Sequence, residues 1–548
     1  MSADLFRSVA FCAFAALTLA ACGGSSSAPG QNGGDDNDEN DESSESAEPS
    51  FPSAAWTARE VQNYARVLEA PTEQVANPAF VERLVARSGA NTASYLERLT
   101  ADPSWALASI GGGQISDLLD LAWLQNLLGR IGDDPQAALS LSFGSPATPL
   151  CATYAGPCTG DPFDWADVDP FYNEVGTVQD LVFYDRDCTR LSARVWKPQG
   201  ATEPLPAVVI QTGSIQAPQP VHWWAAQSLV EAGYVALTFD VRGQGRSDFT
   251  APGGQPGTDL DPTVFYREMV DAIDFLQSSP EQPYPHDAVC GDVYPTNTAP
   301  HNPFAAVTDG QRIGLAGHST GGYSVAVVQA LGEGGTAPWP GQLSDTNPVK
   351  AVVAWDGMVD PQGEFGAYGQ LEHLDVPLYR ELFPLISGAL AGGEPEVVPR
   401  VPTMMHFSDY GAAPIPYVQP PPDQAYKRGF EHWRDAGVPS FAFTIKGSSH
   451  YEWSLLPLFP ATSWCPEVVG GECQGGWGLP MADYYTVAWF DRWLKQPGET
   501  GYDDSDARLL DDARFRDRLS YHFESARSFP GRDGRQRFCA DMLGGCAD

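Results

Sequence analysis

The sequence predicts an α/β fold: a mostly parallel central sheet with helices on both faces, preceded by a helical N-terminal extension and interrupted by an insertion placed like a lid. Three observations predict it. From about residue 171 to 497, short β-rich runs alternate with helical stretches, the pattern of strands buried between two helical layers. One of these runs leads into Gly317-His318-Ser319-Thr320-Gly321-Gly322, and a helical stretch follows at once. A histidine, His450, lies just past the last run.

The chain has 548 residues, enough for more than one core, although large α/β folds often reach such lengths as one unit. Asp and Glu number 70 against 32 Lys and Arg, a net charge of −38. Such a surface repels phosphate backbones and argues against a nucleic-acid partner. It favours solubility.

Residues 1–22 read as a targeting segment. The apolar run Val9 to Ala21 ends in Leu19-Ala20-Ala21-Cys22-Gly23. It is short for a membrane span. The segment resembles the bacterial lipobox, which implies lipidation of Cys22 and anchoring at the cell envelope; the alternative is an ordinary cleaved signal and secretion. Residues 23–50 are rich in Gly, Ser, Asp, Asn and Glu, and the run Asp35 to Glu42 has nothing to bury. A solvated acidic linker is expected there.

Residues 51–150 are expected to form a helical extension. Val61, Tyr64, Ala65 and Leu68 recur at helical spacing, as do Leu118, Leu119, Leu121, Leu124, Leu127 and Leu128. No chemistry is visible in it. The catalytic domain is expected over 165–497. Its clearest strands are Ala207–Gln211, Val235–Asp240, Ile313–Ala316, Ala351–Trp355, Thr403–Phe407 and Phe441–Ile445. Between them, His222–Ala232, Val264–Leu276, Tyr323–Leu331, Gln424–Ala436 and Met481–Leu494 read as helices. Two insertions interrupt the order, over 280–311 and 357–400; the second carries Phe365, Tyr368, Leu371, Tyr379 and Phe383 and is placed to cover a pocket. Residues 498–548 read as a charged C-terminal tail.

Beyond Cys12 and Cys22, eight cysteines remain, and six form close sequence pairs. In an exported chain this predicts disulfides Cys151–Cys158, Cys465–Cys473 and Cys539–Cys546, leaving Cys188 with Cys290. Metal-binding spacings are missing, so no metal is expected. Gly243-Gln244-Gly245-Arg246-Ser247-Asp248 lacks the third glycine of a dinucleotide fingerprint, and no cofactor is expected.

The chemistry concentrates at Ser319. A serine between a strand and a helix, flanked by Gly317 and Gly321, sits on a turn too sharp for neighbouring side chains. Its hydroxyl is a weak nucleophile until a base takes the proton. His450, in Lys446-Gly447-Ser448-Ser449-His450, is placed for that; His318 is expected to be tied to the turn and to point elsewhere. The acid is Asp356 or Asp409, each following a strand.

These motifs, with Asp240-Val241-Arg242-Gly243-Gln244-Gly245-Arg246-Ser247 after a strand, resemble the α/β-hydrolase superfamily over about residues 171–497. The resemblance implies an oxyanion hole from the N–H of Thr320 and a second donor after Ala207–Gln211, with Ser214 favoured over Ile215. The Asp240 loop is expected to be structural. In many relatives the acid follows the later strand at an offset that here falls on Gly411. The segments Trp355-Asp356-Gly357-Met358 and Pro402 to Pro414 are similar instead to the platelet-activating-factor acetylhydrolases, whose acid follows the earlier strand. Asp356 is favoured on this ground, with Asp409 expected to cap a turn.

The function expected is an extracellular serine carboxylic ester hydrolase working through an acyl-enzyme on a small-molecule or lipid ester. The alternatives are a peptidase or amidase using the same triad, and a catalytically inactive surface lipoprotein. An intact nucleophile and base weigh against the last.

Overall fold

A computed structural model describes residues 49–76, 171–214, 219–244, 247–248, 251–255, 262–291, 298–357, 397–411, 414–421, 429–453, 467–469, 472–474 and 478–546. The signal, Cys22, the linker, most of the helical extension, Cys151, Cys158, Cys465 and all but the ends of the 357–400 insertion lie outside them.

In chain order the elements are α1 (Ala54–Ala76), β1 (Gly176–Tyr184), β2 (Arg190–Pro198), β3 (Leu205–Gln211), α2 (Trp223–Glu231), β4 (Val235–Phe239), α3 (Pro262–Gln277), α4 (Pro285–Cys290), β5 (Thr308–His318), α5 (Thr320–Ala330) and β6 (Val349–Trp355). They continue as β7 (Thr403–Ser408), α6 (Phe430–Asp435), β8 (Ser440–Ile445), the small hairpin β9 (Glu467–Val469) and β10 (Glu472–Gln474), α7 (Leu479–Trp493), α8 (Ser505–Leu509), β11 (Ala526–Pro530) and β12 (Gln536–Cys539).

Ten strands form one sheet in the order β1-β2-β4-β3-β5-β6-β7-β8-β11-β12. The run from β4 through β8 is parallel. Antiparallel strands flank it on both sides: β2 against β4, and β11 against β8. This is the α/β-hydrolase fold expected from the sequence. The six predicted strands are all present, within a residue or two for most. The main difference is at the edges. The tail is more than a charged extension, because β11 and β12 carry the sheet past β8.

Alternation along the parallel strands explains the two helical layers. Ile313, Leu315, Val352 and Ala354 face α3 and α5, packing with Phe265, Met269, Val325 and Val328. Ala316, Ala351, Val353 and Trp355 face α2 and α7, packing with Trp224, Tyr485 and Trp489. α5 is buried on every side, which is why its sequence has no polar stripe. On the other face α7 lies so close to β5 that a side chain on Gly314 would meet Phe490 at 2.6 Å and Leu494 at 2.8 Å.

α1 departs from its predicted packing. Val61 is exposed, and the buried stripe is Trp56, Glu60, Asn63 and Val67. Two of these four are polar, and both have partners. Glu60 accepts from Tyr417 N (2.7 Å) and Tyr410 Oη (2.9 Å) and contacts His522 Nε2 (2.6 Å). Asn63 donates to Asp409 Oδ2 and to Tyr410 Oη, each at 2.9 Å. These bonds tie α1 to the loop after β7 and to His522.

Two predicted disulfides lie within the described residues, Cys188–Cys290 and Cys539–Cys546. The first ties the turn after β1 to the 280–311 insertion across 102 residues. Closing so long a loop removes much of the unfolded chain's freedom. The double variant Cys188→Ser/Cys290→Ser is expected to lose about 2–5 kcal/mol in reversible urea unfolding. An unchanged midpoint would show that the bond adds no stability.

Candidate active site

Every predicted site residue among those described lies just beyond the carboxyl end of a parallel strand. Gly213 and Ser214 follow β3, Ser319 follows β5, Asp356 follows β6, Asp409 follows β7 and His450 follows β8. In a parallel sheet these ends share one edge.

Ser319 has φ 55° and ψ −121°, a conformation that costs a non-glycine residue free energy and persists only where its surroundings enforce it. The enforcement is visible. Its N–H donates to Trp355 O at 3.0 Å. A Cβ on Gly317 would stand 2.2 Å from Gly321 O, and one on Gly321 would stand 2.6 Å from Gln211 O. The flanking glycines thus permit the backbone crossing that the sharp turn needs, as the sequence pattern implied. Ser319 is almost buried, and α5 begins behind it with Thr320. The first N–H groups of a helix have no acceptor within it and face whatever occupies the turn.

His450 and Asp356 meet directly: Nδ1 lies 2.6 Å from Oδ2. The carboxylate is braced from β7, since Ser408 N donates to Oδ1 at 2.7 Å and Ser408 Oγ donates to Oδ2 at 2.7 Å. Both partners are buried. A carboxylate on Nδ1 fixes the tautomer that leaves Nε2 as the base.

Asp409 is elsewhere. Its Oδ2 accepts from Gly447 N at 2.7 Å and from Asn63, and Oδ1 accepts from Ser520 Oγ. The expectation of a simple turn cap needs amending. Asp409 is a buried anchor joining the loop after β7, the loop that carries His450, α1 and the segment after α8. Burial pushes its carboxyl up, against the pull of His522 and these donors.

Ser214 and Thr320 lie side by side, with Thr320 Oγ1 donating to Ser214 Oγ at 3.1 Å; Ile215 lies outside the described residues. The Asp240 loop carries more than its own turn. Gln244 Nε2 donates to Gly213 O at 3.0 Å and so fixes the peptide that supplies the Ser214 N–H. Arg190 pairs with Asp248, and Arg242 with Asp187, inside the same corner.

His318 contradicts its expected orientation. Its ring lies 4.6 Å from that of His450, and its Nε2 is 2.7 Å from His450 O. The histidine before Ser319 reaches the loop that carries His450. Sequence spacing could not show this, because the two loops are joined only through the sheet. His222, 5.1 Å from His318, completes a buried row of imidazoles. Burial holds His222 down to about 3 and His318 well below the usual histidine range.

Residues 187–335 match the model of the X-Pro dipeptidyl-peptidase (S15) family, a family of serine hydrolases with this fold. The chain is a serine hydrolase. The match spans β2 to the end of α5, including Ser319, and stops before Asp356 and His450. No curated protein shows a significant match to the chain.

Gly213 lies where a side chain would strike Ser319, with its Cβ 2.7 Å from Ser319 Cβ and 3.3 Å from Oγ. Gly213→Ala is expected to leave the fold intact and to slow fluorophosphonate labelling of the serine by about 100-fold, the typical effect of displacing a reacting group by about 1 Å. Labelling at the unaltered rate would show that the serine is not constrained from this side.

Proposed function

We propose that this serine hydrolase cleaves peptide or amide bonds through an acyl-enzyme, with Ser319 as nucleophile, His450 as general base and Asp356 as the carboxylate that orients it. The observation carrying the reading is the 2.6 Å contact between His450 Nδ1 and Asp356 Oδ2 at the strand edge that holds Ser319.

The steps follow from that arrangement. Ser319 Oγ attacks the carbonyl carbon as its proton passes to His450 Nε2. The N–H groups of Thr320 and Ser214 stabilise the oxyanion, each such donor contributing about 3–4 kcal/mol. The tetrahedral intermediate collapses, His450 gives the proton to the leaving amine, and the acyl group stays on Oγ. Water, deprotonated by the same imidazole, attacks the ester so formed and releases the acid. Asp356 accepts the hydrogen bond from Nδ1 throughout and stabilises the imidazolium.

The family similarity over 187–335 puts the peptide bond first. Ester hydrolysis is the second reading. It is favoured by the aromatic and aliphatic residues of the 357–400 insertion, which suit an acyl or aromatic group and lie beyond the matched stretch. A panel of p-nitroanilides, including dipeptides with proline second, run beside p-nitrophenyl esters of graded chain length, separates the two. Higher kcat/KM on anilides than on esters is expected; turnover of esters alone would overturn the peptidase reading.

Ser319→Ala is expected to abolish fluorophosphonate labelling and to reduce kcat by about 10⁴-fold or more. Asp356→Asn is expected to cost about 10⁴-fold in kcat, because an amide favours the wrong tautomer, whereas Asp409→Asn costs far less. Equal losses at the two aspartates would refute the assignment of the acid.

We further propose that the chain works outside the cytoplasm, tethered through a lipid on Cys22. The lipobox-like segment supports this, and so do two disulfides, which suit an oxidising compartment. Expressed in a bacterium that processes lipoproteins, the protein is expected in the membrane fraction, and Cys22→Ala is expected to release it or leave it unprocessed. A wild type found wholly soluble, with no acyl group on Cys22, would refute the anchor.

A further inference from the structure

We infer that His318 is a positioning residue for the general base: its Nε2–H holds the carbonyl of His450 and its ring backs the catalytic imidazole. The inference rests on His450 being the base.

The hydrogen bond fixes the chemistry of His318. A carbonyl only accepts, so at 2.7 Å the Nε2 atom must carry the proton. Nδ1 is then the bare nitrogen, and it has no hydrogen-bond partner although it is buried. This is one neutral tautomer, assigned from the partner rather than from a hydrogen seen directly.

The surroundings keep it neutral. The titratable groups facing the ring are His450 at 4.6 Å and His222 at 5.1 Å; Trp453, at 6.3 Å, is uncharged. His222 is itself buried, stacked at 8° on Trp355 with both ring nitrogens unpartnered. A second positive charge in this row is opposed by burial and by His450. When His450 takes the serine proton, the charge therefore stays on the imidazole that Asp356 faces and does not pass to its neighbour.

The placement has a mechanical meaning. His318 is the last residue of β5 and Ser319 is the next. The backbone that lifts the nucleophile also carries the donor that holds the base's loop. His450 is held at three points: Nδ1 by Asp356, N by Gly411 O at 3.0 Å, and O by His318. Removing the third leaves the imidazole free to tilt away from the carboxylate.

The test compares His318→Phe, which keeps an aromatic ring and loses the donor, with His318→Gln, which keeps a donor and loses the ring. The readout is the rate of fluorophosphonate labelling of Ser319 against pH, which needs no knowledge of the natural substrate. His318→Phe is expected to label about 10- to 100-fold more slowly, part of the contribution of a well-placed base. Its acid limb should move to lower pH, because an imidazole held less firmly against a carboxylate binds protons less tightly. His318→Gln should recover much of the rate. A folded His318→Phe with wild-type rate and acid limb would overturn the inference, as would a His318→Gln no better than His318→Phe. Should the Phe variant fail to fold, the wild type decides. With ¹⁵N-labelled histidine, NMR is expected to show one imidazole, absent from His318→Gln, that stays in the neutral Nε2–H form from about pH 5 to 8, the range in which a histidine base titrates. A proton on Nδ1, or titration of that ring, would overturn the inference. Failure of the wild type to label at Ser319 refutes the reading of the site itself. Labelling that is normal in both wild type and His318→Phe refutes only the role of His318.

Discussion

His450 and Asp356 share a 2.6 Å hydrogen bond although their strands are not neighbours. β6 and β8 are separated by β7, a gap of about 10 Å at ordinary strand spacing. Two loops must reach across it. Asp356 turns back at φ 46° with its N–H on His406 O at 2.9 Å, and Ser408, at the end of β7, fills the middle with both its N–H and its hydroxyl on the carboxylate. From the other side the His450 loop is drawn in by Gly411 O and His318. The turn of Ser319 and the grip on the carboxylate both depend on strand ends being held in register, and the large apolar layers under β5 to β8 supply that.

Behind the base loop lies a second polar cluster, centred on Asp409. It joins parts of the chain remote in sequence: Glu60 and Asn63 from α1, Tyr410 and Tyr417 after β7, Gly447 after β8, and Ser520 and His522. Gly447 has φ 62°, and a side chain there would stand 2.8 Å from Asn63 O and from Arg66 Cβ. α1 therefore lies directly on the turn that leads to His450. A buried carboxylate with this many donors is expensive to leave half-bonded, so α1 and the base loop are tied into one packing solution.

Much of this was legible in the sequence. Strands buried on both faces show as continuous apolar runs, which is why β3 to β8 stand out. The Ser319 turn announces itself through steric limits that only glycine meets. The edges were harder to read. β2 buries Arg190 and Arg194 by pairing them with Asp248 and Asp180, so a buried strand reads like a surface one. β11 and β12 are short, each with an arginine among few apolar residues, and they join the sheet because β8 offers β11 an edge and β11 offers one to β12. The polar stripe of α1 was invisible for the same reason: Glu60 and Asn63 look like solvent-facing residues until partners far along the chain are in place. His318 was misjudged because the residue it touches is 132 positions away.

The late strands also cover the outer edge of β8. β8, which leads into the loop of the base, has β11 as its outer neighbour. Its continuation is stitched to residues 518–525: Lys446 N donates to Arg518 O, Ser520 N to Thr444 O and Thr444 N to Ser525 Oγ. All these partners are synthesised after His450. Until they arrive, β8 is an open edge with unpaired backbone groups, and its loop lacks the Ser520 anchor on Asp409. The turn of Ser319 is shaped by Gln211, Gly317, Gly321 and Trp355, all of which precede β8 in the chain. A form truncated before residue 518 would keep the residues that shape the Ser319 turn and lose the partners that hold the loop of His450.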